Sequence, residues 1–371
     1  MKRAIVSVIN DLSTDQRVDK VCKTLQKAGF EVLLLGRRKS DSRNLDERTY
    51  KTHRMNLLFE KEAVFYAEYN IRLFFFLLFN KSDLLISNDL DTLLPNFLIS
   101  KIKRIPLVYD SHEYFTEVPE LINNNFARKI WLRIEEFIFP KLKHVFTVNQ
   151  SIAEIYHEKY NVEVKVVRNI PLKKIKQQIK SRKELGLDDN KKILILQGAG
   201  INIDRGVEEL VEAMQYLENT ILLIIGNGDV INNLKELAKK LDIQSKVIFI
   251  NRIPYHELLH FTANADLGIS IDKDTNLNYR FSLPNKLFDY INAGIPVLVS
   301  DLPEVNKIVK NYNVGEILNS HNPKDIAEKI NKLLANKELL DFYKNNTIKA
   351  SDDLCWENEE KELLKVYNLY N

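Results

Sequence analysis

Acidic residues and a histidine follow three apolar runs in the first half of the sequence. Asp11 follows RAIVSVIN, Asp89 follows DLLISN, and His112 and Glu113 follow PLVYDS. Carboxylates accept hydrogen bonds from hydroxyl groups, and a histidine can donate to an oxygen or relay a proton. We therefore expect these four side chains to bind the polar groups of a substrate.

Glycines and cations take equivalent positions in the second half. Gly198 and Gly200 follow KKILILQ, Arg205 precedes the predicted helix GVEELVEAMQYL, and Asn251 and Arg252 follow KVIFI. Backbone N–H groups at a helix start bind anions, and a guanidinium can donate to two diphosphate oxygens. A cation at a helix N-terminus opposes the helix dipole, which favours a phosphate-binding role for Arg205 over a solvated helix-start residue.

The segment PNKLFDYINAGIPVLVSD, residues 284–301, predicts a short helix that ends near Gly294 and leads into a strand. Asn285, Lys286 and Asp289 lie in the first turns of this otherwise apolar helix. Lys286 and Asp289 are one helical turn apart, so they share a face. We expect that face to bind a ligand.

Several kinds of chemistry are excluded by missing motifs. The glycine pairs at Gly198 and Gly226 have Ile203 and Ile231 where a dinucleotide-binding fingerprint needs its third glycine, and no P-loop motif is present. Two D-x-D patterns, at residues 89–91 and 272–274, have no supporting ligands, so we expect no metal. The two cysteines have no metal-type spacing, which indicates a reducing compartment.

The whole chain has the length and charge of a two-domain globular protein. It has 371 residues and a net charge of +3, which is too weakly basic to indicate a nucleic-acid partner. Its longest apolar run, LFFFLLF, is far shorter than the ~20 residues of a membrane span, so we expect an apolar helix packed on a sheet. The N-terminal apolar run is too short for a secretory signal and predicts a first strand. We expect a cytoplasmic protein.

Alternating strands and helices must position these residues. The pattern predicts an α/β fold with two Rossmann-like halves, each built from parallel βαβ units. It breaks at Asn169-Ile170-Pro171 and restarts at Lys191. We therefore predict a first domain over residues 1–170, a second over 171–350, and a C-terminal helix within 351–371 that packs back toward the first. Ligands bind at the carboxyl ends of strands in such sheets.

Eight segments, in order, resemble one family. They include DQRVDKVCKTLQKAGFEVLLL, VYDSHEYFTEVPEL, VFTVNQSIAEIY, GVEELVEAM and LPNKLFDYINAGIPVLVSD. Together they resemble the large retaining glycosyltransferase family (group 1, family four) of bacterial polysaccharide and lipopolysaccharide synthesis. The resemblance implies the GT-B fold, with two facing Rossmann-like domains and a cleft between them. It also implies that the first domain binds the acceptor and the second binds a nucleotide sugar.

The resemblance assigns roles to particular residues. Asp289 falls on a family glutamate that holds the ribose hydroxyls, whereas Phe281 replaces a second glutamate that contacts the transferred sugar. One cation of the family's diphosphate-binding pair is kept as Arg205, and Lys286 is the candidate for the other. His112 matches a family histidine, so the expected catalytic residues are His112, Arg205 and Lys286. The expected donor-site residues are Gly198, Gly200, Arg205, Asn251, Arg252, Pro284, Asn285, Lys286, Leu287 and Asp289, and the expected acceptor-side residues are Asp11, Asp89, His112 and Glu113.

The implied activity is metal-independent transfer of a hexose, with retention, from a nucleoside-diphosphate sugar to a glycan or lipid-linked acceptor. No cofactor is implied. Two alternatives remain open: a non-catalytic module with the same fold, favoured by Phe281, and a sugar-nucleotide 2-epimerase. Peripheral contact of the first domain with the inner face of the cytoplasmic membrane is also expected. It would use a basic and aromatic surface, unless this is only a solvated helix face: Lys101, Lys103, Arg104, Arg128, Lys129, Arg133, Lys141, Lys143, Trp131 and Phe137.

Overall fold

A computed structural model describes residues 1–13, 15–40, 42, 44–173 and 178–371. The chain divides into two compact units, the first formed by Met1–Asn169, Asn276–Asn278 and Trp356–Asn371 and the second by Ile170–Thr275 and Tyr279–Cys355.

The first unit contains a seven-stranded parallel sheet. Its strand order is β3-β2-β1-β4-β5-β6-β7. The strands are β1 Arg3–Asp11, β2 Glu31–Arg38, β3 Lys51–Asn56, β4 Leu84–Asn88, β5 Leu107–Ser111, β6 His144–Thr147 and β7 Val164–Val166. The helices are α1 Gln16–Lys27, α2 Glu62–Phe79, α3 Leu90–Lys103, α4 Pro119–Ile122, α5 Asn125–Ile138 and α6 Gln150–Tyr160. The strand order reverses between β1 and β4, so the carboxyl ends of these strands form the ligand-binding edge expected of a doubly wound sheet.

The second unit contains a six-stranded parallel sheet in the order β10-β9-β8-β11-β12-β13. The strands are β8 Lys192–Gly198, β9 Thr220–Gly226, β10 Val247–Ile250, β11 Leu267–Ser270, β12 Val297–Ser300 and β13 Gly315–Leu318. The helices are α7 Val207–Ala213, α8 Ile231–Lys240, α9 Tyr255–Asn264, α11 Asn285–Ala293, α12 Pro303–Tyr312, α13 Pro323–Ala335 and α14 Lys337–Asp353, while α10 Leu277–Arg280 has residues in both units. Here the order reverses between β8 and β11.

The last helix, α15 Trp356–Tyr367, belongs to the first unit and packs against α1. Trp356 is 1% exposed, and its indole Nε1 donates to Thr24 Oγ1 over 3.2 Å. Thr24 in turn donates to Glu360 Oε2 over 2.9 Å, so a buried polar chain fixes the helix in place.

Continuous apolar strands explain why both sheets are covered on two faces. In β4, β5, β11 and β12 every residue is buried, which is the pattern of parallel strands with helices on both sides. The second sheet has core clusters on opposite faces, one containing Leu194 and Leu222 and the other Ile193 and Ile221.

Three details differ from the sequence predictions. The edge strand β3 lies in a segment for which no element was predicted. The pattern PKDIAEKINKLLANKELLDFYKNN, residues 323–346, predicts one helix, but the structure has two, because Asn336 ends α13 and caps α14 by accepting from Leu339 N. The polar and basic segment LKKIKQQIKSRKELGLDDNKK predicts an interdomain connection with a short helix; its residues 174–177 lie outside the described residues, and the described part contains a 3-10 turn, Lys183–Leu185.

Candidate active site

Two cations meet on one carboxylate in the second unit. Arg205 Nη1 lies 3.2 Å from Asp272 Oδ2, and Lys286 Nζ lies 3.5 Å from Asp272 Oδ1. Arg205 follows β8, Asp272 follows β11, and Lys286 is in the first turn of α11. The reversal of strand order between β8 and β11 therefore brings together two side chains that are 81 positions apart in sequence (286 − 205).

The three charges leave this cluster with one net positive charge. Burial lowers the pKa of Lys286, and the nearby Arg205 lowers it further, against the opposing effect of Asp272. The Arg205 guanidinium lies 4.0 Å from the centre of the Tyr279 ring, and its Nε is buried without a hydrogen-bond partner among the described residues. Asp272 neutralises only one of the two cations, and one N–H of the Arg205 guanidinium has no partner among the described residues. Such a site is suited to bind an anionic ligand.

Asp289 lies in a separate hydrogen-bonded cluster. Tyr255 OH donates to its Oδ1 over 2.8 Å and Gln197 Nε2 donates to its Oδ2 over 3.1 Å, while Thr262 Oγ1 donates to Gln197 Oε1 over 2.7 Å. Burial and the Asp289 charge raise the pKa of Tyr255, so its O–H remains a donor. The Asp289 carboxylate is therefore held in one orientation by the donors around it.

The glycines near the cation pair fall into two groups. A Cβ on Gly226, whose φ is +141°, would lie 1.7 Å from Gly198 O, and a Cβ on Gly228 would lie 1.9 Å from Ile201 O. These two glycines are required by the packing of the loops. Gly198 and Gly200 have no protein atom closer than 3.9 Å to such a Cβ, so only a ligand's close approach would require glycine there.

The other predicted donor residues lie at strand and helix ends, with one exception. Asn251 and Arg252 are exposed in the loop after β10, and Arg252 N donates to Asn227 Oδ1 over 3.2 Å. Pro284 and Asn285 begin α11, which has no side-chain cap at its N-terminus. Leu287 is different: its side chain is fully buried in the apolar core, because it lies on the helix face opposite the solvent, and its role is packing.

His112 is enclosed by acceptors in the first unit. Its backbone N–H donates to Asp89 Oδ1 over 2.7 Å, and its ring Nδ1 lies 3.2 Å from Asp89 Oδ2. Ring Nε2 lies 3.2 Å from Asn88 Oδ1 and 3.5 Å from Asp110 Oδ2. Burial acts to lower the pKa of His112, but Asp89 and Asp110 outweigh it and raise the pKa to about 9. At neutral pH the ring is therefore an imidazolium that can donate a proton or stabilise an anion.

A buried arginine missed by the sequence analysis fixes this cluster. Arg17 donates from Nε and Nη2 to the two oxygens of Asp110, over 3.1 and 2.6 Å, and from Nη1 to Val167 O over 2.8 Å. Burial acts to raise the pKa of Asp110, but the Arg17 charge outweighs it and holds the pKa far below the ordinary value. An arginine in the amphipathic helix α1 is typical of a solvated face, so only its 2% exposure reveals its role.

The two remaining acceptor-side residues differ in environment. Glu113 Oε2 accepts from Asn278 Nδ2 over 3.1 Å, and burial together with the Asp89 charge raises the pKa of Glu113 to about 7. Asp11 accepts hydrogen bonds from Ser42 Oγ and, over 3.2 Å, from Ser13 N, and it forms an ion pair with Arg54, whose Nη1 lies 3.5 Å from Asp11 Oδ1. Burial acts to raise the pKa of Asp11, but these partners lower it, so Asp11 is a charged residue already engaged by its own unit.

Within the part of the chain that the structure describes, no three His, Cys, Asp or Glu side chains are grouped so as to hold a metal ion. Among the described helices, none has the length and apolarity needed to cross a bilayer.

The fold and the family models that match the chain define the class of protein. Two parallel Rossmann-like sheets are the GT-B architecture. The family model for glycosyl transferases group 1 matches residues 177–350, and that for glycosyltransferase family 4 matches residues 15–171. The chain belongs to the group 1 glycosyltransferases.

Similar proteins cover the chain to different extents. An uncharacterised glycosyltransferase of Methanocaldococcus jannaschii is 26% identical over 61% of this chain and 60% of its own length. The chitobiosyldiphosphodolichol beta-mannosyltransferase of Candida albicans is 27% identical over 46% of this chain and 39% of its own length. Among solved structures, sucrose-phosphate synthase from Thermosynechococcus elongatus has a TM-score of 0.79 and 16% identity, covering 100% of this chain and 99% of that one. The chain thus spans less than two thirds of the length of the first two relatives.

Proposed function

We propose that this chain is a retaining, metal-independent glycosyltransferase that moves a hexose from a nucleoside-diphosphate sugar to a glycan or lipid-linked acceptor. The observation that supports this most is the convergence of Arg205 and Lys286 on Asp272. A nucleoside-diphosphate sugar leaves behind a diphosphate whose negative charge grows as the glycosidic bond breaks. Cations already held at that position stabilise the transition state more than the ground state.

The donor's other parts have separate partners in the proposal. The diphosphate approaches Gly198 and Gly200, whose unfilled space admits close contact with backbone N–H groups. Asp289, held by Tyr255 and Gln197, accepts from the ribose hydroxyls. The cation pair replaces the charge that a metal ion would supply, so no cofactor is needed.

The acceptor is assigned to the first unit. Glu113, whose pKa is raised to about 7, accepts from a hydroxyl, and the positive charge of the His112 imidazolium stabilises a developing anion. The Candida albicans relative is named for a diphosphodolichol-linked sugar, which supports a lipid-linked acceptor here. Both cysteines are free and buried, which fits a reducing cytoplasm, and peripheral contact with its membrane is part of the proposal.

The proposal is tested by turnover. The chain is incubated with UDP-, GDP- and ADP-hexoses chosen by thermal shift, since a ligand that binds the native state raises its stability. We expect slow release of the nucleoside diphosphate without acceptor and, with a glycan or lipid-linked acceptor, a product that keeps the donor's anomeric configuration by NMR. Binding without any turnover across the panel would instead favour a non-catalytic module. The replacement of a family glutamate by Phe281 supports that alternative. A product with the opposite anomeric configuration would contradict the retaining mechanism.

A further inference from the structure

One buried side chain of the first unit comes from the second half of the sequence. The segment between β11 and α11 contains the four-residue helix α10. Its residues Asn276–Asn278 belong to the first unit, and the second unit resumes at Tyr279. Asn278 is 7% exposed, although an asparagine in a short connecting segment is ordinarily a surface residue. Its burial in the first unit therefore asks what its amide group contacts there.

The side chain of Asn278 is hydrogen-bonded through both of its polar atoms. Nδ2 donates to Glu113 Oε2 over 3.1 Å, and Oδ1 accepts from Tyr114 N over 3.2 Å. The two partners fix the orientation of the amide, because the oxygen needs a donor and the nitrogen needs an acceptor. The amide cannot turn over without losing both hydrogen bonds, so Nδ2 is held against the Glu113 carboxylate.

The main chain beside Glu113 is held by other residues. Ser111 Oγ donates to Glu113 O over 2.9 Å, and the buried Tyr114 ring packs edge-on against Tyr156, with 5.7 Å between the ring centres. These contacts position the backbone but do not reach the carboxylate. Among the described residues, Asn278 is the one that donates a hydrogen bond to the Glu113 carboxylate.

The surroundings of Glu113 mostly oppose its ionisation. Burial raises the pKa of Glu113 most, and the Asp89 charge raises it further, whereas the hydrogen bond from Asn278 lowers it. Of the weaker influences on this pKa, the Glu120 charge raises it and the His112 charge lowers it. Two more titratable groups interact with Glu113 through their charges: Asp91 and Tyr66. Asn278 is therefore the neutral group that favours the carboxylate form of Glu113.

We propose that Asn278 is a positioning residue that holds the Glu113 carboxylate ready to accept a hydrogen bond from the acceptor hydroxyl. The inference rests on the proposed function, in which Glu113 accepts from that hydroxyl. Oε2 is engaged by Asn278, so the hydroxyl binds at Oε1. A protonated carboxyl has less acceptor capacity than a carboxylate, so a group that favours the charged form also favours acceptor binding.

The residue after Asn278 contacts the other candidate site. Tyr279 is 5% exposed, and its ring centre lies 4.0 Å from the Arg205 guanidinium. A substitution that merely disrupts α10 would therefore disturb both Glu113 and Arg205. A change confined to Glu113 would instead identify the Asn278 amide as its cause.

Two substitutions of Asn278 separate positioning from a purely structural role. Asn278→Asp keeps an oxygen that can accept from Tyr114 N but places a second carboxylate against Glu113, whereas Asn278→Ala removes both hydrogen bonds. A structural role predicts the larger effect for Asn278→Ala. Positioning predicts that both substitutions raise the pKa of Glu113 and that Asn278→Asp raises it more, because a neighbouring like charge disfavours ionisation. The matched control is Asn336→Asp, which adds the same charge in the second unit and keeps an acceptor at the N-cap of α14.

The measurements are an NMR titration of carbon-13-labelled glutamate carboxyls and the pH profile of sugar transfer. The Glu113 signal is the one missing from Glu113→Gln. We expect its titration midpoint to move to higher pH in Asn278→Ala and further in Asn278→Asp. With acceptor varied, kcat/KM at pH 7 should fall by about tenfold in Asn278→Ala and recover as the pH rises, because one hydrogen bond to a charged group is lost. Tyr279→Leu should weaken nucleoside-diphosphate binding and leave the Glu113 midpoint in place.

Three results would overturn the proposal. They are an unchanged Glu113 midpoint in both Asn278 variants, a larger shift in Asn278→Ala than in Asn278→Asp, and an equal shift in Asn336→Asp. If Asn278→Ala fails to fold, Asn278→Asp decides alone, because it keeps an acceptor for Tyr114 N and must still move the midpoint upward. The NMR titration needs no substrate, so the two proposals fail separately. A protein that shows the shifts but never transfers a sugar contradicts the proposed function, and one that transfers sugar without the shifts contradicts the role of Asn278.

Discussion

At the scale of single residues, two side chains of the short helix α11 belong to two different polar clusters of the second unit. Lys286 faces Asp272 and Arg205, whereas Asp289 faces Tyr255 and Gln197. These two residues are one turn apart, so α11 contacts both a cation cluster and a carboxylate cluster. The arrangement suits a ligand with an anionic part and a hydroxyl-rich part, as in a nucleoside diphosphate.

The Asp289 cluster gives a prediction about ribose. We expect Asp289→Ala to abolish discrimination between the best-binding nucleoside diphosphate and its 2′-deoxy form. Tyr255→Phe should lower the ratio of the affinities for the nucleoside diphosphate and its 2′-deoxy form by about tenfold or less, because it removes one hydrogen bond to a charged group. Calorimetric titration measures both, with Tyr216→Phe as a surface control, because Tyr216 is 46% exposed. Unchanged discrimination in Asp289→Ala would remove this residue from the site.

The His112 cluster gives a prediction about pH. The pKa of His112 in the folded protein, about 9, lies above the ordinary value of 6.5, so His112 stabilises the first unit fully below pH 6.5 and loses this contribution as pH rises toward 9. The loss is on the order of 2–3 kcal/mol. Glu113, whose pKa is raised from 4.5 to about 7, changes the stability in the same direction but mostly at lower pH, so most of its contribution is lost by pH 7.

Thermal unfolding between pH 7 and 9 is the measurement. The wild type should lose stability from pH 7 to 9, whereas His112→Gln should start less stable and change little. An equal pH dependence in the two proteins would show that His112 is not held as a cation.

At the scale of elements, periodicity predicted most strands and helices but not their precise ends. α1 begins after Asp15, whose side chain accepts from Val18 N, whereas Ser13 or Thr14 was the expected cap, and Thr14 lies outside the described residues. The strand β3, KTHRMN, has little apolar character because it is an edge strand with one buried residue, Met55. The predicted helix from Asn125 to Leu142 ends at Ile138, before a 3-10 turn that contains Pro140.

The loops after β8 and β9 give a prediction from matched glycines. Gly226→Ala should destabilise the second unit by at least about 2 kcal/mol, because its Cβ would overlap Gly198 O in a positive-φ conformation. Gly200→Ala should fold normally, because its Cβ has space, yet bind nucleoside diphosphate more weakly. Chemical denaturation and nucleotide titration of both variants measure this. Full diphosphate affinity in a folded Gly200→Ala would place the phosphates elsewhere.

At the scale of the whole molecule, the sequence predicted the architecture better than the site. Alternating apolar runs and strand-end polar residues indicated two Rossmann-like units, because these signals are local. Asp272 could be seen only as part of a chance-level D-x-D pattern, and Tyr255 and Gln197 were not linked to Asp289. Those contacts join residues 34 and 92 positions apart, so they depend on strand order rather than on spacing.

The exposed face of α2 was also beyond sequence reasoning. The helix is apolar on nearly all sides, so its periodicity does not show which residues meet the sheet. Only the packing of Phe65, Tyr69, Leu73 and Leu77 distinguishes the inner row from the exposed one. Trp131, on α5, was expected on the surface because basic residues surround it in the sequence, but it is 8% exposed.

The central claim is that Arg205 and Lys286 bind the diphosphate of a sugar nucleotide, and one titration tests it most directly. Arg205→Gln, Lys286→Gln and the control Lys332→Gln, whose side chain is 72% exposed, are titrated with the best-binding nucleoside diphosphate and with the matching nucleoside. Each of the first two variants should lose about 10- to 100-fold in affinity for the diphosphate, the value of a charge-assisted hydrogen bond, and little for the nucleoside. Equal diphosphate affinity in wild type and both variants would contradict the account.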